Sequence, residues 1–294
     1  MSRSSIAEKR DQLLEILRGY GSVLVAFSAG VDSTVVAKAA FVACGEKAVA
    51  VTGVSPSLAV GELDEARQLA TLIGIRHEIV ETNEFRNPAY LANPGNRCYF
   101  CKTELYGHLG PLAESLDIHV VVNGANLDDL GDYRPGTLAA AENTVQSPLV
   151  EAGFAKWDVR ELARLWNLPV FDKPASPCLS SRIAYGVEVT AERVRRIDAA
   201  ERFVSEITGI NELRVRLEAR DLARIEVPLT CVQKLAEPAI SRQLVEKFIS
   251  LGFVNVTLDL QGLRSGNLNS AVNLPENLVS LTDLTNSPLR SSRQ

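Results

Sequence analysis

Two sets of residues in this chain have the types and spacing to do chemistry. The first is Ser28-Ala29-Gly30-Val31-Asp32-Ser33, which follows directly on the apolar run Val23-Leu24-Val25-Ala26-Phe27. A small-residue loop that leaves a buried strand and enters a helix aims backbone N–H groups and hydroxyls at one point, which suits phosphate. No Gly-Lys-Ser/Thr closes this loop and the chain has no G-x-G-x-x-G, so neither a Walker loop nor a dinucleotide fingerprint fits. The second set is Cys98 and Cys101, a C-x-x-C, together with the distant Cys178. A C-x-x-C brings two sulfurs close together, and at a helix start the positive end of the dipole favours thiolate. Two thiolates are too few for a structural zinc site. Three would suit a [4Fe–4S] cluster with one iron left open for an extra sulfide. A redox pair of Cys98 and Cys101 alone, or a zinc site completed by His108, uses the same residues. Cys44 and Cys231 lie in apolar patterns and read as small core residues.

The elements around these sets alternate. Apolar positions at helical spacing predict a helix over Ile6 to Tyr20, followed by the strand that delivers the loop and a helix over Thr34 to Cys44 that Asp32 or Ser33 would cap. A strand over Ala48 to Val54, a helix through Leu63, Ala66, Leu69 and Ile73 stopped by Gly74, and a strand over Glu78 to Val80 come next. A helix over Thr103 to Leu116 and a buried strand over Ile118 to Val122 then lead into Asn123-Gly124-Ala125-Asn126, and Lys156 to Trp166 reads as another helix. This order implies an α/β fold with a parallel sheet and ligands at the carboxyl ends of its strands. Phe171 to Gly186, with Pro174, Pro177 and several serines, is irregular and reads as a linker or an active-site lid. Beyond it, a helix over Ala191 to Thr208, paired strands over Leu213 to Leu217 and Leu222 to Val227, a helix over Ile240 to Leu251 and a strand over Val254 to Leu260 suggest a smaller α+β domain.

Composition narrows the partners. A length of 294 residues with 46% hydrophobic content supports a sizeable core and, as a soft prior, two domains. A net charge of −5 and a pI near 5.4 give no general attraction to nucleic acid. Met1 to Lys9 is polar and no run of about 18 apolar residues is present, so a cytoplasmic protein without a membrane span is expected. Five cysteines, an odd number, argue against a disulfide framework.

The pattern S-x-G-x-D-S resembles the pyrophosphate loop of the N-type ATP pyrophosphatases, an adenine nucleotide α-hydrolase-like fold whose members split ATP into AMP and pyrophosphate while adenylating a substrate. Ala29 stands where that family more usually has a second glycine. Lys173-Pro174-Ala175-Ser176-Pro177-Cys178-Leu179-Ser180-Ser181-Arg182 and Asp132-Tyr133-Arg134-Pro135-Gly136 narrow the resemblance. With Leu213-Arg214-Val215-Arg216, Ala223 to Pro228 and Leu258 to Gly266, they are similar to the ATP-dependent sulfur transferases that make the nickel-pincer nucleotide cofactor of lactate racemase. The resemblance runs from about Gln12 to Asn269. It implies an ATP pyrophosphatase domain over 1–180, a substrate-binding and oligomerisation domain over 181–280 and a flexible tail over 281–294.

The resemblance also implies a reaction. Pyridinium-3,5-dicarboxylate mononucleotide is activated as an acyl-adenylate, with Mg2+ spreading the charge on the phosphates, and sulfur then displaces AMP to leave a thiocarboxylate. Some members give up the sulfur of one of their own cysteines, at the position held here by Pro177; others carry three cysteines suited to a cluster. Cys98, Cys101 and Cys178 therefore place this chain with the cluster type. Ser28, Gly30, Val31, Asp32 and Ser33 correspond to the pyrophosphate site, Asp128, Asp129 and Asp132 to nucleotide or magnesium contacts, and Arg134 and Arg182 to phosphate or adenylate contacts. Arg214 and Arg216 match the site of the substrate phosphate, where paired guanidiniums grip oxyanions. Glu201 and Glu226 match acidic positions beside it that bind a metal or pair with arginine, and Ser180 joins the same set unless it acts with Ser181 as a local cap. A homo-oligomer, a hexamer in the family, and a sulfide donor are the implied partners. The competing functions are an ATP-dependent tRNA thiolase of the same fold, disfavoured by the acidic charge, and a non-catalytic nucleotide-binding sensor.

Overall fold

The alternation of helix and strand resolves, in a computed structural model describing residues 5–130 and 135–264, into two sheets. In chain order the elements are α1 (Ile6–Tyr20), β1 (Val23–Ala26), α2 (Val31–Cys44), β2 (Ala48–Val54), α3 (Glu62–Ile73), β3 (Arg76–Glu81), α4 (Pro88–Leu91), α5 (Arg97–Ser115) and β4 (Val120–Val122). They continue with α6 (Pro135–Glu142), α7 (Pro148–Glu151), α8 (Lys156–Leu165), α9 (Ala191–Thr208), β5 (Arg214–Glu218), β6 (Leu222–Glu226), α10 (Val232–Ala236), α11 (Pro238–Ser250) and β7 (Asn255–Leu258). The described residues up to Leu263 belong to one compact unit. Among the described residues no helix is long and apolar enough to cross a membrane.

The large sheet is parallel, in the order β3-β2-β1-β4. Its central strands β1 and β2 are buried on both faces, which is why they read as continuous apolar runs, whereas the edge strand β3 is partly exposed and carries charges. Val23 and Val25 of β1 and Ala48 and Ala50 of β2 join one core with Leu13, Leu17, Val35, Phe154 and Leu162. Their neighbours Leu24, Val49 and Val51 point the other way, into a core with Tyr106, Leu109 and Ala139. Helix α2 is apolar nearly all round because the sheet, α1 and α8 enclose it. Because β1 lies between β2 and β4, the strand order reverses there, and the loops leaving β1 and β4 face each other across the switch point.

The smaller sheet, β5-β6-β7, pairs β5 antiparallel with β6 and β6 parallel with β7. Val215, Leu217, Ala223 and Ile225 bury one face against Val194, Ile197 and Val204 of α9 and Phe248 of α11. Tyr90 and Leu179 belong to the same core, so α4 and the segment after Cys178 pack with this sheet.

Two local expectations change. Helix α2 starts at Val31 with Gly30 as its N-cap, and neither Asp32 nor Ser33 caps it; both lie inside its first turn. Helix α5 starts at Arg97, six residues before the expected Thr103, which places Cys98 and Cys101 in its first turns. Asn-Pro-Gly-Asn before it masks the start, since turn residues suppress the helical pattern there.

Two small residues shape the loop. Ala29 is left-handed, with φ 57°, a conformation that costs a residue with a Cβ about 1–2 kcal/mol. A Cβ on Gly124, in the loop after β4, would stand 2.8 Å from the Ser33 backbone nitrogen and 3.0 Å from the Asp32 carbonyl carbon. Gly124→Ala is therefore expected to destabilise the chain by about 1–3 kcal/mol, the usual cost of overpacking, whereas Ala29→Gly leaves the melting temperature unchanged or raises it. Thermal unfolding of both variants checks the opposite signs.

Candidate active site

The loop after β1 is held open by its own side chains. Ser33 Oγ accepts from the Ser28 N–H at 3.2 Å, lies 3.1 Å from Ser28 Oγ and donates to the Gly30 carbonyl at 3.1 Å. Thr34 Oγ1 donates to the same carbonyl at 2.8 Å. The helix itself cannot satisfy the N–H groups of Val31, Asp32 and Ser33, and Gly30 brings no side chain to cap them. The N-terminus of a 14-residue helix thus faces the switch point uncapped, with the positive end of its dipole outward.

Asp32 is gripped from two sides. Asn126, 2% exposed, donates from Nδ2 to Oδ1 at 3.1 Å, and Lys156 Nζ lies 2.5 Å from Oδ2. Asn126 is fixed in turn: its N–H donates to Asp129 and its Oδ1 accepts from the Asp128 N–H. Asp128 accepts the Lys156 backbone N–H at 2.9 Å, so this carboxylate caps the start of α8. On the other side of the loop, Lys173 Nζ reaches the Ala29 carbonyl at 3.4 Å and Glu65 at 2.6 Å.

That lysine lies near the start of the irregular segment, which is pinned along its length. Arg160 donates to the Phe171 and Lys173 carbonyls, Ser176 to Glu62, and the Leu179 N–H to the Ser57 carbonyl. From Lys173, beside the loop, to Cys178 is five residues, at most about 18 Å of chain. A second set of bonds fixes the segment's far end. Asn93, fully buried and left-handed (φ 53°), donates from Nδ2 toward the carbonyls of Ile183, Ala184 and Val187 at 2.8–3.3 Å. Its Oδ1 accepts from Arg97, which also donates to the Ser180 carbonyl, and Tyr90 donates to Ser180 Oγ at 2.8 Å. Ser180 is accordingly a structural partner at the start of α5.

These contacts bring the three cysteines into one neighbourhood, each within electrostatic reach of the other two. Burial pushes the Cys101 thiol up to about 12, with the nearby Cys178 adding to it; burial also raises Cys178, against the pull of Arg97. Arg97 and Lys102 stand beside them: burial opposes both charges, but the thiols and neighbouring tyrosines favour them, and the balance raises both pKa values. Among the described residues, no three His, Cys, Asp or Glu side chains are spaced to hold a metal ion. His108 pairs with Glu104 at 3.1 Å, in a cavity of about 410 Å³ that contains no cysteine. The three cysteines are an all-sulfur donor set, the ligand chemistry an iron–sulfur cluster takes.

The arginines of the smaller sheet are matched by carboxylates. Arg216, 3% exposed, pairs with the fully buried Glu226 at 3.1 Å and donates to the Ser181 carbonyl. Arg224 bridges Glu226, Glu218 and Asp259. Arg182 pairs with Glu201 at 3.0 Å and donates to the carbonyls of Pro177 and Cys178; Glu201 also accepts the Val215 N–H. Glu201 and Glu226 thus pair with arginine. Burial and the neighbouring Arg216 and Arg182 lower the Arg214 pKa, which puts three guanidiniums close together. Asp132 and Arg134 lie outside the described residues, as does the chain from Ser265 onward.

Asn93, Arg97, Asn126 and Lys156 were not singled out from sequence, and only Asn93 carries a local sign, an Asn-Pro turn with an αL-tolerant residue. Asn93→Ala leaves buried carbonyls unpaired and is expected to cost about 1–3 kcal/mol; chemical denaturation measures it. In metal-free protein, the exposed Cys98 is expected to alkylate before the half-buried Cys101 and Cys178 at pH 8, because a raised pKa keeps a thiol protonated. Peptide mass mapping gives the order.

No protein-family model matches the chain. It is 48% identical over 264 residues to an uncharacterised protein of Synechocystis sp., covering 90% of this chain and 98% of that one. An uncharacterised protein of Methanocaldococcus jannaschii is 30% identical over 60% of this chain and 67% of its own. The pyridinium-3,5-bisthiocarboxylic acid mononucleotide synthase of Lactiplantibacillus plantarum is 34% identical over 272 residues, 92% of this chain and 96% of the synthase. On that match, the chain belongs to the pyridinium-3,5-bisthiocarboxylic acid mononucleotide synthase family.

Proposed function

We propose that this protein is an ATP-dependent sulfur transferase that adenylates a carboxylate of pyridinium-3,5-dicarboxylate mononucleotide and replaces the AMP with sulfur. The observation that carries the reading is the 34% identity along 96% of a synthase named for the bisthiocarboxylate product. The uncapped start of α2 at the switch point supports it, since a leaving pyrophosphate needs such a cradle.

A carboxylate resists nucleophiles until one of its oxygens becomes a leaving group. The substrate carboxylate attacks the α-phosphorus of ATP; the bond to the β-phosphate oxygen breaks, and pyrophosphate leaves into the N–H groups of Val31, Asp32 and Ser33. Asp32 offers a carboxylate to the magnesium that enters with ATP. A sulfur nucleophile then adds to the acyl carbon and AMP departs, leaving the thiocarboxylate. Cys98, Cys101 and Cys178 are the residues that would hold a [4Fe–4S] cluster, which when bound supplies an iron able to carry sulfide. Arg97 and Lys102 place positive charge beside those thiols and so favour anionic sulfur there. Arg214, beside Arg216 and Arg182, is the guanidinium assigned to the phosphate of the substrate nucleotide.

The test is anaerobic purification with iron and acid-labile sulfide analysis, followed by assay of AMP, pyrophosphate and thiocarboxylate from ATP and the dicarboxylate nucleotide. Asp32→Ala is expected to lower AMP formation by about 100-fold or more, the scale of losing one charge-stabilising group. Cys178→Ala is expected to keep pyrophosphate release and lose the thiocarboxylate. A metal-free protein that makes one thiocarboxylate per chain and loses one of its own sulfurs would replace the cluster with a sacrificial cysteine.

A further inference from the structure

Three arginines are almost wholly buried among the described residues: Arg97 at 4% exposed, Arg182 at 6% and Arg216 at 3%. Two have carboxylate partners. Arg182 pairs with Glu201 at 3.0 Å and Arg216 with Glu226 at 3.1 Å, as a guanidinium taken out of water requires. Arg97 has no such partner among the described residues. Its hydrogen bonds run from Nη1 alone, to Asn93 Oδ1 at 2.6 Å and to the Ser180 carbonyl at 2.8 Å, and both acceptors are neutral. Nε and Nη2, the other edge of the fork, make no hydrogen bond to a described residue.

The chain sets where that edge lies. Arg97 directly precedes Cys98, and the carbonyl it holds belongs to Ser180, two residues beyond Cys178. The guanidinium therefore stands between the two cysteine segments, and the groups that most favour its charge are Cys178 and Cys98, followed by Tyr90 and Tyr185. A buried cation set among sulfurs, phenols and neutral oxygens lacks the anion that would balance it. Burial limits that anion to a small one. The paired N–H groups of a guanidinium form charge-assisted bonds with such an anion. The reaction needs a sulfur nucleophile at this place, and at mildly alkaline pH inorganic sulfide is mainly hydrosulfide, HS−, a monovalent anion similar in size to bromide.

We propose that Arg97 is a substrate-binding residue for the sulfur half of the reaction, holding hydrosulfide on Nε and Nη2 between Cys98 and Cys178 while Nη1 stays anchored on Asn93 and Ser180. The inference rests on the reading of this chain as a sulfur transferase. It adds the chemical class in which the sulfur arrives, a small inorganic anion, and the residue that takes it up. Asn93 gains a second task, because anchoring Nη1 fixes which edge of the fork is left open.

Binding is read first, without ATP or nucleotide. Equilibrium dialysis of radiolabelled sulfide against the full chain, purified free of iron and kept anaerobic with EDTA, is expected to show saturable binding to wild type. Arg97→Met is expected to bind about tenfold more weakly or worse, and Arg97→Lys, which keeps the charge, to stay within about threefold. In turnover, Arg97→Met is expected to raise the KM for sulfide and not that for ATP, with a smaller fall in kcat; a residue that only braced the fold would not make that split. Circular dichroism melts report whether each variant is folded. On wild type alone, crystals soaked in bromide are expected to show an anomalous peak within hydrogen-bond distance of Nε and Nη2. Unchanged sulfide binding in Arg97→Met, or, should that variant not fold, no bromide on that edge, overturns the inference and leaves the sulfur transferase reading standing. A wild type that binds sulfide through Arg97 but makes neither AMP nor thiocarboxylate overturns that reading and keeps the anion site.

Discussion

The uncapped start of α2 is the constraint on which the rest of this structure depends. Three backbone donors without helical partners open the helix at the switch point, and the contacts of the loop leave them without a side-chain cap. Gly30 gives the helix an N-cap with no side chain to occupy them. Ser28, Ser33 and Thr34 turn their hydroxyls inward, onto one another and the Gly30 carbonyl. Ala29 accepts a left-handed backbone, and Gly124 lets the chain after β4 pass within a few ångströms of Ser33. The strain and the missing side chains are consistent with a site shaped for a ligand.

A second feature is that Cys178, 80 residues from Cys98 in sequence, comes within electrostatic reach of it. The irregular segment achieves this by being tied at both ends. Lys173, Ser176 and Leu179 fasten it to the loop and to the chain around Ser57–Glu65. Asn93, Arg97 and Tyr90 fasten its far end to α4 and α5. Asn93 is the economical choice for this task. One buried side chain faces three carbonyls of a stretch that meets the smaller sheet through an isolated bridge, Ile183 to Leu217.

The arginine–carboxylate network extends the same rigidity into the smaller sheet. Arg182 bridges the carbonyls around Cys178 to Glu201 on α9, and Arg216 bridges Ser181 to Glu226 on β6. A buried pair such as Arg216–Glu226 contributes little net stability, but removing one partner strands a charge. Its effect is to hold the strand that carries Arg214 in a fixed place relative to Cys178.

The sequence by itself determined the elements and the sheet type, because helical and strand periodicities are local and the parallel α/β order follows from their alternation. The run Val23 to Phe27, the buried α2, Gly74 as a stop and the paired strands after Leu213 were all legible in this way. The start of α2 at Val31 and of α5 at Arg97 were not, since glycine and Asn-Pro-Gly-Asn hide helical pattern. The positions of the loop and of the three cysteines could be read from motifs. That Lys156 rests on Asp32, that Asn93 holds the chain beyond Ser180, and which of the two readings, metal or arginine, Glu201 and Glu226 take could not. Each of these is a contact between residues adjacent only in the fold, where side-chain geometry and burial, which leave no periodic trace in the chain, choose the partner.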